Sequence, residues 1–422
     1  MNIVLRSARI IDSQSPFHQQ TVDIFIKDGK ISSIGKEVTE PIEHEIQLEG
    51  LCVSPGWVDP FAHFCDPGFE YKETLETGAK AAAAGGFTHV FVLPNTAPFL
   101  HNKAGIEYVM QRSKSLPISL HAIGAITKNG EGKELAEMYD MHAAGAVAFS
   151  DGLQSVQSAG LLLKALQYLT ANNTTVIQLP DDQTIHPNGL MHEGVTSTFL
   201  GLPGKPAIAE ELAIARDIEL VKYTGSKIHF TGVSTARSLQ LIADAKEEGL
   251  AVSCSVTPYH LFFCDEDLNT YDTNLKVSPP LRTKQDRAAL QKGVVDGIVD
   301  CIATHHLPQN GDDKLVEFEY AKNGMLGLQT AFALVQTVLP QLSDEKLCDL
   351  FGGNARKIFD LPTSIIQEGE IADITLFSRE VNWTFKQSHN LSRSTNTPFY
   401  NFDFTGKPFG IIHKEGLFLG QD

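Results

Sequence analysis

The chain contains no uncharged apolar run long enough to span a membrane, and it contains no basic stretch. Its first nine residues lack an apolar core followed by a small-residue cleavage site, the pattern of a signal peptide. Acidic residues outnumber basic ones by 51 to 34, which gives a formal net charge of −17 at pH 7. This charge disfavours binding to nucleic acid or to an anionic membrane surface. We therefore expect a cytoplasmic protein with no nucleic-acid and no membrane partner.

The six cysteines include no C-x-x-C pair. They are scattered along the chain, at positions 52, 65, 254, 264, 301 and 348. In a chain of 422 residues this distribution is typical of reduced thiols and agrees with a cytoplasmic location.

From about residue 54 onward, short β-branched runs alternate with longer helical stretches, as in βα units that build a parallel sheet. We predict eight strands, at 54–58, 89–93, 118–126, 146–150, 175–179, 227–230, 251–257 and 298–304. Helices are predicted between them, among others at 73–84, 159–171, 207–223 and 235–248. Eight such units predict an α/β fold, a (β/α)8 barrel of the TIM type, over residues 54–364.

Both ends of the chain have a different pattern. Residues 2–12 and 21–34 alternate apolar and polar side chains, with a turn at 27–30. Further strands are predicted at 369–377 and 408–419. We expect residues 1–53 and 365–422 to combine into one small β-sandwich domain beside the barrel.

In a barrel of this type, the chemistry lies at the carboxyl ends of the strands. The residues of interest that follow six of the predicted strands are His63, Asn95, Asp151, Leu179, Gly232 and His305. The sequence therefore predicts that these side chains share one face of the barrel.

The run from Ser54 to Gly68, SPGWVDPFAHFCDPG, resembles the first-strand signature D-x-H-x-H-x-R-x-P-G of the dihydroorotase family. The resemblance is strongest to the class related to allantoinases and hydantoinases, and it covers nearly the whole chain. It includes LPNT at 93–96, AFSD at 148–151, MHEG at 191–194, GLPG at 201–204, VST at 233–235, KVSPPLR at 276–282, NAR at 354–356 and AD at 372–373.

The resemblance implies a metal-dependent amidohydrolase that holds two zinc ions with four histidines and two aspartates. Residue by residue, it implies that His63 and Asp151 retain ligand types. Three other ligand positions carry Phe61, Leu179 and Gly232, whose side chains offer no lone pair to a metal. The aspartate that also moves protons in the family corresponds to His305. We therefore expect no cofactor, or at most one zinc held by His63, Asp151 and His305.

The substrate site is altered as well. The resemblance implies that an arginine, an asparagine and a histidine bind the carboxylate of dihydroorotate. These positions hold Cys65, Asn95 and Gln309. Cysteine cannot supply a bidentate guanidinium, and glutamine offers only a neutral amide.

Three functional hypotheses follow. The first is an inactive dihydroorotase homologue with a structural or regulatory role in pyrimidine synthesis, a homo-oligomer such as a dimer, with aspartate carbamoyltransferase as a candidate partner. The second is a dihydroorotase or other cyclic-amide hydrolase that uses a single zinc. The third is a protein that binds a small neutral ligand. For His305 we also consider a purely structural role, in which the imidazole fills a vacated pocket and forms hydrogen bonds there.

Overall fold

The computed structural model describes residues 1–421. Eight parallel strands form a nearly closed barrel in which each strand pairs with its neighbour in chain order. Strands 1 to 8 are Trp57–Ala62, Phe87–Val92, Ser119–Gly124, Ala148–Phe149, Val176–Gln178, Ile228–Phe230, Val252–Val256 and Cys301–Ile302. A parallel bridge between Ala62 and His306 joins the first and last strands. The predicted barrel is confirmed.

Helices surround the barrel and fill its connections. The α-helices are Leu75–Ala84, Lys103–Ser113, Met138–Ala143, Ala159–Thr170, Val195–Leu200, Ile208–Thr224, Ala236–Glu247, Pro258–Phe262, Lys284–Asp296, Gly311–Lys314, Ala331–Val338, Asp344–Cys348 and Asn354–Ile358. The four helices predicted by range agree with the structure to within two residues at each end. Three of the four begin at a hydroxyl side chain, Thr74, Ser158 or Thr235, that accepts a hydrogen bond from the first turn.

The two ends of the chain pair into one continuous sheet. Its strands are Asn2–Ile10, Thr21–Lys27, Lys30–Ile34, His44–Ile46, Cys52–Pro55, Ile374–Phe385, Phe402–His413 and Gly416–Leu419. We call this the end sheet. The strand predicted at 408–419 is therefore two strands, which turn at Lys414 and Glu415, both with positive φ. The domain boundaries at 53/54 and 364/365 stay a prediction.

The strand predicted at 54–58 is wrong as a single element. Cys52–Pro55 pairs in the end sheet, whereas strand 1 of the barrel begins at Trp57. Gly56 separates the two, and its N–H donates to the backbone oxygen of Asp373 at 2.9 Å. A Cβ at Gly56 would overlap the side chains of Thr88 and Asp373. The break therefore depends on a close approach that only glycine allows.

Trp57 connects the barrel to the end sheet. Its ring is fully buried and lies 4.9–5.3 Å, centroid to centroid, from the rings of Phe332, Phe351 and Phe377. Phe377 belongs to the end sheet, so one cluster of rings holds both parts together. No helix within residues 1–421 is long and apolar enough to cross a membrane.

We predict that Trp57→Ala lowers the free energy of unfolding by about 3–5 kcal/mol, because it leaves a cavity among packed rings. Urea unfolding followed by circular dichroism measures the change. Tyr223→Ala provides the control, since Tyr223 is 76% exposed and its loss should change stability little. Equal effects of the two substitutions would contradict the role assigned to Trp57.

Candidate functional site

The six residues predicted at strand ends all lie just beyond a barrel strand, at the carboxyl face. His63 follows strand 1, Asn95 follows strand 2, and His305 follows strand 8. Asp151, Leu179 and Gly232 follow strands 4, 5 and 6 in the same way. We call this face the barrel mouth. The sequence thus placed the residues in the right part of the fold, and their side-chain contacts decide what they can do.

His63 is buried, and both of its ring nitrogens have neighbours within the chain. Nδ1 lies 3.0 Å from Sγ of Cys65, and Nε2 lies 3.0 Å from the backbone oxygen of Asn95. Burial lowers the pKa of His63 to about 4, and nearby Lys72 also acts in that direction. Burial raises the pKa of the Cys65 thiol. The pair is therefore a neutral imidazole and a protonated thiol at neutral pH.

Asp151 is also buried and receives three hydrogen bonds. The backbone N–H groups of Ile126 and Thr127 donate to Oδ1 at 3.0 and 2.8 Å, and the Thr127 hydroxyl donates to Oδ2 at 2.6 Å. Asn95 reaches over this residue, because its amide donates to the Asp151 backbone oxygen at 3.1 Å. Burial raises the pKa of Asp151. The carboxylate serves to fix the turn after strand 3.

His305 begins a chain of hydrogen-bonded side chains inside the barrel. Its Nε2 lies 2.7 Å from Oγ1 of Thr231, which accepts a hydrogen bond from Ser255 at 3.0 Å. Ser255 also lies 3.0 Å from Nε2 of His229. Burial lowers the pKa of both histidines to about 3. This geometry agrees with the structural role considered for His305, in which a neutral imidazole fills the interior of the barrel.

The three positions without donor atoms surround His305. The ring of Phe61 packs 4.5 Å from the imidazole, centroid to centroid. A Cβ at Gly232 would lie 2.6 Å from Cε1 of His305 and 3.2 Å from Cδ1 of Leu179. Gly232 also has a φ of +67°, which side-chain-bearing residues rarely adopt. The imidazole of His305 occupies the space that a metal-binding side chain at position 232 would need.

His63, Asp151 and His305 do not form a set of converging ligands. Within residues 1–421, the only three His, Cys, Asp or Glu side chains whose ligand atoms all lie within 4.8 Å of one another belong to His89, Asp373 and His413. A single zinc at the mouth therefore stays a prediction, and it would require side chains to leave their present partners.

Gln309, the third substrate-binding position of the prediction, is engaged with neighbouring loops. Its Oε1 accepts from Nζ of Lys72 at 2.6 Å, and its Nε2 donates to the backbone oxygen of Asn323 at 2.7 Å. Lys72 also pairs with Asp313 at 2.7 Å. Lys72 is a cation that the sequence prediction missed, although it stands seven residues after Cys65 in the first-strand loop.

Two cavities open at the mouth. The cavity beside Phe61 and His305 holds only about 10 Å³, roughly the space of one water. A second cavity of about 280 Å³ extends from Leu179 past Lys205 and Arg282. Both cations are already satisfied there: Lys205 pairs with Asp181 at 2.8 Å, and Arg282 donates to Ser234 and to the Lys205 backbone oxygen at 3.0 Å each.

Two buried acids also escaped the prediction. Asp59 accepts from the backbone N–H of Thr304 at 3.0 Å, and burial raises its pKa to about 7. Glu73 lies 3.3 Å from Nε2 of His306 and accepts from the Arg393 backbone N–H at 3.0 Å. Asp59 stands at the first position of the D-x-H signature, which is the signal that could have found it.

Comparisons with known proteins agree with this architecture. A sequence model described as Dihydro-orotase-like matches residues 50–238. A dihydroorotase from Pelotomaculum thermopropionicum is 40% identical over 415 residues, covering 98% of this chain and 97% of the relative. A dihydroorotase from Syntrophus aciditrophicus is 38% identical, covering 96% of each. The chain belongs to the dihydroorotase-like family.

The fold comparison extends to an L-hydantoinase from Arthrobacter aurescens, with a TM-score of 0.86 at 24% identity over 98% of this chain and 95% of that one. This likeness concerns the fold alone. The names of the relatives favour the hydrolase alternative over the predicted inactivity. The choice between hydrolase activity and inactivity therefore depends on the residues at the mouth of this family member.

We predict that Gly232→Ala destabilises the protein more than Gly201→Ala. Both glycines have φ near +68°, so backbone strain of about 1–2 kcal/mol is common to both. A Cβ at Gly201 meets nothing within 4 Å, whereas at Gly232 it meets His305. Overpacking should add about 1–3 kcal/mol at Gly232, measured by urea unfolding. Equal losses would contradict the packing described here.

Stability should also fall in mild acid. A histidine with a folded pKa of about 3, such as His305, binds a proton in the unfolded chain first, near pH 6.5. Its contribution is thus fully present above pH 6.5 and is lost as the pH falls towards 3, by about 1.4 kcal/mol per pH unit. His305→Asn should make the slope of unfolding free energy against pH shallower by up to this amount between pH 6 and 5. His44→Asn, at an exposed position, provides the matched control substitution.

Proposed function

We propose that this dihydroorotase-family chain does not hydrolyse dihydroorotate, and that it acts in pyrimidine synthesis as a structural or regulatory protein. The proposal rests on one observation. Each of the three mouth residues that could still bind a metal already contacts another group of the chain. His63 contacts Cys65, Asp151 binds the turn at Thr127, and His305 contacts Thr231.

The residues present do not fit a pair of zinc ions. Phe61, Leu179 and Gly232 offer no ligand atom, and the three remaining candidates do not converge. Zinc lowers the pKa of a bound water from 15.7 to about 7, which is how such enzymes obtain hydroxide. The mouth has no substitute for this, since buried His305 and His63 are held neutral and the adjoining cavity holds about one water.

The carboxylate of dihydroorotate also lacks a free partner. Cys65 is buried with a raised pKa, and the amides of Asn95 and Gln309 already bind neighbouring backbone groups. Lys72 supplies a positive charge, but Asp313 and Gln309 surround it. These contacts weaken the third hypothesis as well, because the two amides offered to a neutral ligand are in use.

A role without catalysis implies partners. The proposal retains a homo-oligomer, such as a dimer, and aspartate carbamoyltransferase as the candidate partner protein. Co-purification of the tagged chain with that enzyme from source cells would support the partner. A chain that elutes alone, with its mass fixed by light scattering, would reject it.

The second candidate function is dihydroorotase activity with one zinc. It is favoured by 36–40% identity over nearly the whole chain to proteins with that name. It requires His63, Asp151 and His305 to release their present partners and to turn towards a common point. The Thr127 hydrogen bonds hold Asp151 most firmly against such a change.

Hydrolysis of dihydroorotate by zinc-supplemented protein tests the two candidates directly. We expect no rate above the uncatalysed background for wild-type protein and none for His63→Ala. Hydrolysis that depends on zinc and disappears in His63→Ala would overturn the proposal and establish the single-zinc enzyme. Hydrolysis that survives in His63→Ala would point to a contaminating enzyme. The protein named dihydroorotase from Pelotomaculum thermopropionicum, purified in parallel, serves as the comparison protein in the same assay.

A further inference from the structure

A cluster of histidines lies at the opposite end of the barrel from the mouth. His89 is the third residue of strand 2, and His121 is the third residue of strand 3. His413 ends a strand of the end sheet, and Asp373 immediately precedes another. Strand 2 ends at Val92, three residues after His89, so the cluster lies roughly 10 Å below the carboxyl end of this strand.

Three of these side chains converge on one point. Nε2 of His89 lies 3.2 Å from Oδ2 of Asp373, and Nδ1 of His413 lies 3.1 Å from Oδ1 of the same carboxylate. All three ligand atoms lie within 4.8 Å of one another. Zinc–ligand distances of about 2.0–2.2 Å place the ligand atoms of one ion about 3–3.5 Å apart. Ligand atoms that now lie up to 4.8 Å apart would therefore have to approach one another by roughly 1–2 Å at most.

We propose that His89, Asp373 and His413 form a binding site for a divalent transition metal of the zinc class. Two imidazoles and a carboxylate are a donor set that suits this class better than Mg²⁺ or Ca²⁺, which prefer oxygen ligands. The site joins strand 2 of the barrel to two segments of the end sheet. A metal here would fasten these parts together.

The second nitrogen of each histidine already has a suitable partner. Nδ1 of His89 lies 2.9 Å from Nε2 of His121, and Nε2 of His413 lies 2.9 Å from Oγ of Ser119. A metal-bound histidine usually donates its other N–H to such a neighbour, which fixes its tautomer and orientation. Metal binding would therefore shift protons between ring nitrogens without breaking these contacts.

The charges around the site limit its affinity and set its selectivity. Nη2 of Arg356 donates to Oδ2 of Asp373 at 2.6 Å, so Oδ1 is the oxygen available to a metal. The guanidinium opposes a second positive charge nearby. The set should thus select metals that bind imidazole strongly over those held by charge alone.

The site is independent of the proposed function. The groups beside it are His121, Ser119 and Arg356, all engaged with the ligands or with the backbone. Neither of the two cavities described at the mouth is lined by these residues. A zinc ion here would leave dihydroorotate hydrolysis absent, and failure of the site would leave the proposal for the mouth unchanged.

Metal content after chelator treatment, reloading with zinc and gel filtration tests the inference. We expect about one zinc per wild-type chain, retained in His63→Asn and reduced at least about tenfold in His413→Asn. His63 is the matched control because it is also a buried histidine, but at the mouth. Absence of zinc from wild-type protein, or loss in His63→Asn with retention in His413→Asn, would overturn the proposal.

A second measurement does not depend on variants that fold. Anomalous diffraction at the zinc edge from wild-type crystals locates the ion directly. A peak between the imidazoles of His89 and His413 supports the site. A peak only beside His63, or no peak in crystals grown with zinc, rejects it.

Discussion

A buried carboxylate closes the barrel and thereby arranges its mouth. Asp59 in strand 1 accepts hydrogen bonds from both the backbone N–H and the hydroxyl of Thr304, directly after strand 8. The adjoining backbone continues this closure, because the N–H of His63 donates to the His306 backbone oxygen at 2.8 Å. An unpaired carboxyl in this position would be costly, so the two strands can meet in only one register. That register sets His63 and His305 at the mouth.

Given this register, the side chains at the mouth fit one another. Phe61 supports the ring of His305, and Gly232 leaves the space that the imidazole needs. Thr231 then binds the imidazole nitrogen. Each residue is explained by its neighbours in an apolar and hydrogen-bonded interior. A larger side chain placed at Gly232 would therefore disturb the packing of His305 as well as its own position.

The periodicity of the sequence predicted the barrel because short β-branched runs, buried on both faces, alternate with helices that bury one face. It failed at 54–58, where a single close contact at Gly56 divides one apolar run between two sheets. Strand order also predicted which residues reach the mouth. It could not predict that the imidazole of His63 contacts the thiol of Cys65, or that the carboxylate of Asp151 accepts a hydrogen bond from Thr127. Side-chain rotamers depend on contacts between loops, which strand order does not specify.

The histidine cluster shows the same limit on a larger scale. His89 and His413 are more than 300 residues apart, and only the docking of the end sheet on the barrel brings them to Asp373. Spacing along the chain contains no trace of such a set. Any measurement of metal content must therefore distinguish the two ends of the barrel, because zinc bound beside Asp373 would be counted in the same way as zinc bound beside His63. Stoichiometry identifies a hydrolase only when the ion is assigned to the mouth.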